Sequence, residues 1–287
     1  MGFRDLVCEH LAQYKANVMG IKEKGTFRYG GKDIPISHIL PIIHSNKNIL
    51  EQYRDQFLKS EYYPKEKIHR FFHHLNSSQA LCFNLFYPLI AENALGLFLQ
   101  YLKVECKDDL NAFFEKESHI EVSPRRTSFD FYIQVASASR IFVEVKYTER
   151  GFAKAKNDNE HRKKFYKTYL PLVKKSSYLV SRCQEENFFL EHYQVLRNLI
   201  HISNTDYVVF LFPSANSVVH EETREARDNI LTDAGRVRFK IILLEEFVSF
   251  LKNNNCIGTP LNEYYKSFHK KYLCYENNSQ QSVKPNI

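Results

Sequence analysis

Two short runs, Ser128–Val135 (SFDFYIQV) and Arg140–Tyr147 (RIFVEVKY), constrain this chain more than any other stretch. Apolar residues recur at every second position in each, and the small residues Ala136, Ser137, Ala138 and Ser139 separate the two. Successive side chains point to opposite faces of a strand, so the pattern predicts a half-buried antiparallel hairpin. Phe129, Phe131, Ile133 and Val135 share one face of the first run, and Ile141, Val143, Val145 and Tyr147 one face of the second. Burying that face sends Asp130, Glu144 and Lys146 out together on the other. If Val135 pairs with Ser139 around a three-residue loop, Asp130 falls directly opposite Glu144. A slip by one residue would point Asp130 into the core without a partner, which costs more than the hairpin recovers.

Two carboxylates on adjacent strands lie within reach of one hard cation, which takes oxygen donors. Lys146, two residues past Glu144 on the same face, reaches a water or phosphate oxygen at such a cation. This set suits metal-assisted phosphodiester hydrolysis, in which the cation polarises the phosphate and the lysine orients the nucleophile or stabilises developing charge. A solvated E-x-K pair on a surface strand is the competing reading of the same residues. Asp130 followed by Glu144-Val145-Lys146 resembles the signature of the PD-(D/E)XK nuclease superfamily, with Phe129 standing where proline often precedes the aspartate. SSQALCFNLFYPL (residues 77–89) together with DFYI and FVEVKYTE is also similar to a bacterial family of predicted restriction endonucleases, from His38–Pro41 as far as Arg197.

The resemblance implies an α/β restriction-endonuclease-like fold: a mixed sheet flanked by helices, with an αβββαβ-type core and an N-terminal, mainly helical extension. It implies a Mg²⁺-dependent type II-like restriction endonuclease, with Mn²⁺ as a substitute. Asp130 and Glu144 would bind the metal and Lys146 would assist the attacking water. Double-stranded DNA would be the substrate, a homodimer the working form, and a DNA methyltransferase a possible companion. A structure-selective repair or recombination nuclease, and a catalytically silent DNA-binding protein on the same fold, remain open. A helix before the hairpin often lends such sites an acid or amide, a part for Gln79, Asn84 or Glu92; structural bonding within the core is the alternative. Gln194 and Arg197 resemble a glutamine and arginine of related nucleases, and Thr127, Ser128 and Glu149 are candidates for an outer layer of the site.

Charge placement agrees with a polyanionic partner. Between Glu121 and Arg182 there are fourteen Lys/Arg against six Asp/Glu, although the whole chain carries only +7. Lys154, Lys156, Arg162, Lys163 and Lys164, interleaved with Phe152, Phe165 and Tyr166, would contact a duplex through its phosphates. A solvated charged helix is the alternative. Six scattered cysteines form no zinc or disulfide spacing and read as reduced thiols. No apolar run approaches the roughly 20 residues of a membrane span, and the first residues lack the apolar core of a signal peptide, so a cytoplasmic protein is expected.

Along the chain, the periodicity predicts a helix over 3–18, a hairpin or ordered loop over 25–41, and a helix over 49–59. A helical segment over Pro64–Leu75 carries His69, His73 and His74, read as exposed or packing residues. A single long helix is expected from Ser78 to about Lys103, and another over Glu186–Ile200. Tyr207–Phe212 (YVVFLF) and Arg238–Leu244 read as strands extending the sheet in parallel, with helices over 220–233, 245–253 and 260–273. The domain reading is an extension over 1–75 for recognition or dimerisation, a nuclease-like core over 76–274, and a flexible tail over 275–287.

Overall fold

A computed structural model of the chain describes residues 2–105, 110–123, 125–135, 139–254 and 258–275. The small-residue turn at 136–138 and nearly all of the polar tail lie outside the described residues. In chain order the elements are α1 (Phe3–Asn17), β1 (Gly25–Tyr29), β2 (Lys32–Ile36), α2 (Glu51–Lys59), α3 (Ser78–Ala91), α4 (Gly96–Leu102) and β3 (Leu110–Glu117). There follow β4 (Ser128–Val135), β5 (Ser139–Val145), α5 (Asn159–Lys164), α6 (Leu170–Lys175), α7 (Glu186–Glu191), α8 (Tyr193–Leu199) and β6 (Tyr207–Phe212). The last are α9 (Ser217–Glu225), α10 (Asp233–Arg238), β7 (Phe239–Leu243), α11 (Leu244–Asn253) and α12 (Thr259–Tyr272). Among the described residues no single helix is long and apolar enough to cross a membrane.

The chain forms two compact units, one from residues 1–101 with 245–287 and the other from 102–244. Residues 76–101, expected to open the nuclease-like core, pack in the first unit with the N-terminal segment. Aromatic rings hold it together: Phe57 meets Phe83 at 5.1 Å and Tyr87 at 4.7 Å between centroids, and Phe98 meets Phe247 at 5.4 Å. The long helix expected from Ser78 breaks into α3 and α4, bent by 115°. Pro88 sits inside α3, and Asn93 beyond it adopts a left-handed φ of 52°, which closes the helix through an Ala94 N–H to Leu89 carbonyl bond of 2.7 Å. The segment 64–75 is not the expected helix. Only Lys65–Lys67 makes a short 3-10 turn, and His74 instead bridges to Ile39.

The second unit is built on a five-stranded mixed sheet in the order β3-β4-β5-β6-β7. The first three strands are antiparallel, and β5, β6 and β7 run parallel, as the strand–helix alternation predicts. No sequence pattern announces β3, whose burial alternates only at Ala112 and Phe114. The apolar run of β6 is buried on both faces, consistent with an interior parallel strand. On one face Tyr132, Phe142, Phe210 and Phe212 join a core completed by Phe165, Tyr169, Phe189, Tyr193 and Leu196 from the helices between β5 and β6. The helix expected over Glu186–Ile200 is divided at His192 (φ −104°, ψ 30°) into α7 and α8.

Candidate active site

The pairings of β4 with β5 run from Val135↔Ser139 to Phe131↔Val143. The pairing ends there; carried one step further, the same register brings Asp130 level with Glu144, as the alternation predicts, and the Glu144 charge acts on Asp130. Past that point β4 stays paired with its other neighbour, β3. Pairing with β3 passes from Phe114↔Phe131 to Lys116↔Phe129, and Glu115 between them takes a left-handed φ of 51°. Phe129 does not share the face of Phe131 as its position in the alternation required; it packs in the core with Tyr132 and Phe142. Its ring lies 4.7 Å from Phe142 and 4.8 Å from His201, whereas Phe131 meets Phe114 at 5.0 Å.

Asp130 is half-buried and its Oδ2 accepts the Val145 N–H at 2.7 Å. Burial pushes its carboxyl well above the usual range, and the neighbouring Glu144 and Glu115 add to the push. Glu144 and Lys146 do not face solvent as a hairpin standing alone would have them. They are 5 % and 8 % exposed, because β5 lies inside the sheet and α8 covers this face. The Lys146 N–H continues the ladder to the Leu211 carbonyl at 2.9 Å. Its Nζ stands 3.0 Å from Glu144 Oε1, donates to Gln194 Oε1 at 3.1 Å, and lies 5.2 Å from the Phe152 ring. Burial alone would lower the Lys146 pKa. Glu144, Glu149 and Asp130 together outweigh it and hold the ammonium above its ordinary value.

Gln194 ties the pair together. Its Nε2 donates to Glu144 Oε1 at 2.6 Å, while its Oε1 takes both Lys146 and the Ala153 N–H at 2.8 Å. One turn on, Asn198, fully buried, donates to Glu144 Oε2 at 3.3 Å. Asn198 was not among the residues expected from the sequence, although its spacing of four from Gln194 places it on the same helical face. Glu149 accepts the Tyr147 N–H at 2.5 Å, and Asn216 holds the Tyr147 and Glu149 carbonyls at 3.0 Å each.

Arg197 goes elsewhere. Its guanidinium is 3.9 Å from the buried Glu121 carboxylate and 5.0 Å from the Tyr193 ring. Glu121 also accepts from the Thr127 hydroxyl, the Thr127 N–H and the Tyr169 hydroxyl. Thr127 therefore braces this second cluster, and Ser128 donates to Glu115 at 3.0 Å. Gln79, Asn84 and Glu92 lie in the first unit, where their bonds are structural. Gln79 bonds the Lys67 carbonyl and the His69 N–H, and Glu92 accepts from the Tyr53 hydroxyl. Asn84 accepts the Leu50 N–H and donates to the Asn48 and Ala80 carbonyls.

Of the basic stretch, Lys154 faces Glu191 at 3.5 Å, Arg162 faces Glu186 at 3.3 Å, and Lys164 donates to the Arg125 carbonyl at 2.6 Å. Lys156 and Lys163 are exposed.

Among the described residues no three His, Cys, Asp or Glu side chains group closely enough to hold a metal ion. The donors on hand at this site are the Asp130 and Glu144 carboxylates. That is oxygen chemistry, suited to a hard cation that keeps waters and substrate oxygens as its other ligands. Comparisons with curated proteins and with solved structures find no match. A family model described as restriction endonuclease associating with ARP matches residues 9–273, and the chain belongs to that family.

Proposed function

We propose that this protein is a Mg²⁺-dependent DNA endonuclease of the PD-(D/E)XK type, working as a type II-like restriction enzyme. The observation that carries the reading is the opposition of Asp130 to Glu144, with Lys146 held beside them by Glu144 and Gln194. Like-charged carboxylates in a dry setting repel, and a divalent cation relieves that repulsion. Asp130 and Glu144 would hold Mg²⁺, or Mn²⁺ in its place. When bound, the cation would polarise the scissile phosphate and acidify a water.

Lys146 is kept charged by the carboxylates around it, so it acts as a cation and hydrogen-bond donor toward the reacting oxygens rather than as a base. Gln194 and Asn198 fix the Glu144 carboxylate, and Gln194 also fixes the lysine. Lys154, Lys156, Arg162, Lys163 and Lys164 would follow the DNA backbone without reading its sequence. Cutting both strands calls for a second copy of the chain related by two-fold symmetry. A methyltransferase marking the same site would protect the host DNA.

The test is incubation of the purified chain with unmethylated plasmid, in Mg²⁺ and in EDTA, beside Lys146→Ala. Discrete Mg²⁺-dependent fragments that vanish in the variant are expected. A smear would favour a structure-selective or non-specific nuclease. DNA bound but uncut under every condition would favour a silent binding protein.

A further inference from the structure

In the first unit, a cavity of about 560 Å³ is lined by residues of α1, α2 and α12 and of the segment leading into α2, among them Tyr14, Lys47, Arg54, Tyr264 and Lys271. Lys271 is 1 % exposed. Its Nζ donates to the Asn48 carbonyl at 2.5 Å and to Asn48 Oδ1 at 2.8 Å, and it lies 4.7 Å from the Tyr272 ring. Among the described residues no carboxylate pairs with it. A buried ammonium supported only by neutral oxygens lacks the counter-charge that normally offsets its desolvation. Burial, with the nearby Arg54, holds its pKa well below the lysine range.

Arg54 commits only its Nε, to the Ile49 carbonyl at 2.9 Å, leaving the rest of its fork without a hydrogen bond among the described residues. Lys47 is exposed at the rim. Against these three basic side chains the lining holds one carboxylate, the exposed Glu51. The first turn of α2 opens onto the same space with no side-chain cap, so the positive end of its dipole adds to the field. The volume falls within the range of about 300–1,000 Å³ typical of small-molecule sites, and Tyr14 supplies an aromatic wall.

We propose that this cavity binds a small phosphate-bearing molecule of nucleotide size, its phosphoryl oxygens taken by Lys271 and Arg54. The anion is the counter-charge Lys271 lacks, and the Arg54 fork matches phosphate oxygens two at a time. The site lies wholly in the first unit and does not rest on the endonuclease reading.

Calorimetric titration of the full chain at low ionic strength tests it, with 5′-AMP, 5′-GMP, inorganic phosphate and uncharged adenosine as probes. Expected is one nucleotide per chain, silence from adenosine, and affinity weakened about tenfold or more in Arg54→Gln, the loss of a charge-assisted bond. Lys271→Met should abolish binding while its melting curve remains cooperative. If that variant does not fold, Arg54→Gln, altered at a half-buried side chain, decides alone. No binding of any phosphate-bearing probe at millimolar concentration overturns the proposal. So does nucleotide binding left unchanged by Arg54→Gln.

Discussion

The Lys146–Glu144 pair offers a measurement that needs no substrate. The two charged groups stand 3.0 Å apart with side chains 10 % and 7 % exposed. At an effective dielectric of about 20, charges at that distance attract by roughly 5–6 kcal/mol before desolvation is counted. Lys146→Met removes the cation and leaves Glu144 facing Asp130 with no positive group between them. Breaking a buried pair in this way costs about 3–5 kcal/mol. Glu144→Gln keeps the shape of the side chain and one oxygen to accept from Gln194 or Asn198 while removing the charge, so the double variant should recover part of the loss. Hydrogen exchange of the β5 amides under native conditions reads local and global opening within the second unit, whichever unit melts first. Expected is a drop of about 3 kcal/mol or more in the single lysine variant, with non-additivity above about 1 kcal/mol in the double-mutant cycle. A loss below about 1 kcal/mol, or strict additivity, is how a solvated surface pair behaves. Either result would refute the buried, mutually dependent site.

The remaining expectations concern function, salt and acid. Asp130→Ala should abolish plasmid cleavage while duplex binding, measured by fluorescence anisotropy, stays near the parent value or tightens; cleavage retained in the variant would remove Asp130 from the proposed metal-binding pair. Lys156→Gln with Lys163→Gln should weaken every duplex alike and reduce the slope of log K against log salt by about 0.9 for each phosphate no longer neutralised; an unchanged slope would turn this stretch away from DNA. His201, packed against Phe129 and Phe142 and bonded to Ser118, has its pKa driven by burial from 6.5 down to about 3. The unfolded chain therefore takes up a proton that the folded one refuses, and stability falls as pH drops below 6.5. At pH 5 this single group removes about 2 kcal/mol, a slope that urea melts should find flattened in His201→Gln. Gly235→Ala would gain about 1 kcal/mol on an open helix. Here its Cβ would collide with the Tyr178 carbonyl oxygen, so the melting temperature should fall instead.

The parts of the site that could be read from sequence were those decided by burial alone. Ile133, Val135, Ile141 and Val143 must face one way, and that single requirement set the register that opposes Asp130 to Glu144. YVVFLF could only be an interior strand. What escaped depended on partners remote in sequence. Glu144 and Lys146 looked solvated because nothing in the hairpin announces that Gln194, fifty residues after Glu144, will cover them. The side taken by Phe129 escaped too: it packs beside a left-handed Glu115 in β3, a strand too mixed in polarity to show period-two alternation. Apolar composition continues through the helix breaks at Asn93 and His192, so periodicity alone predicts longer helices than form there. Gln79, Asn84 and Glu92 drew attention as polar residues in an apolar stretch, and the reason for them is hydrogen bonding within the first unit.

The first unit is assembled from two stretches of chain with 143 residues of the second unit between them. Its α3 carries Asn84 and Leu85, whose carbonyls accept the hydroxyls of Tyr264 and Tyr265 from α12, a separation of 180 residues. At about 5–20 residues per second, a ribosome takes roughly ten to forty seconds to travel that distance. Throughout that interval Phe83, Phe86 and their neighbours have emerged without the helix that closes over them. The second unit is continuous and is complete as a stretch of chain before α12 exists. The order of synthesis thus separates the two: the nuclease-like sheet has its whole sequence available first, and the aromatic unit waits for the last helix. A stall or cleavage between the two would release a chain holding every residue of the candidate site in the second unit and only part of the first unit.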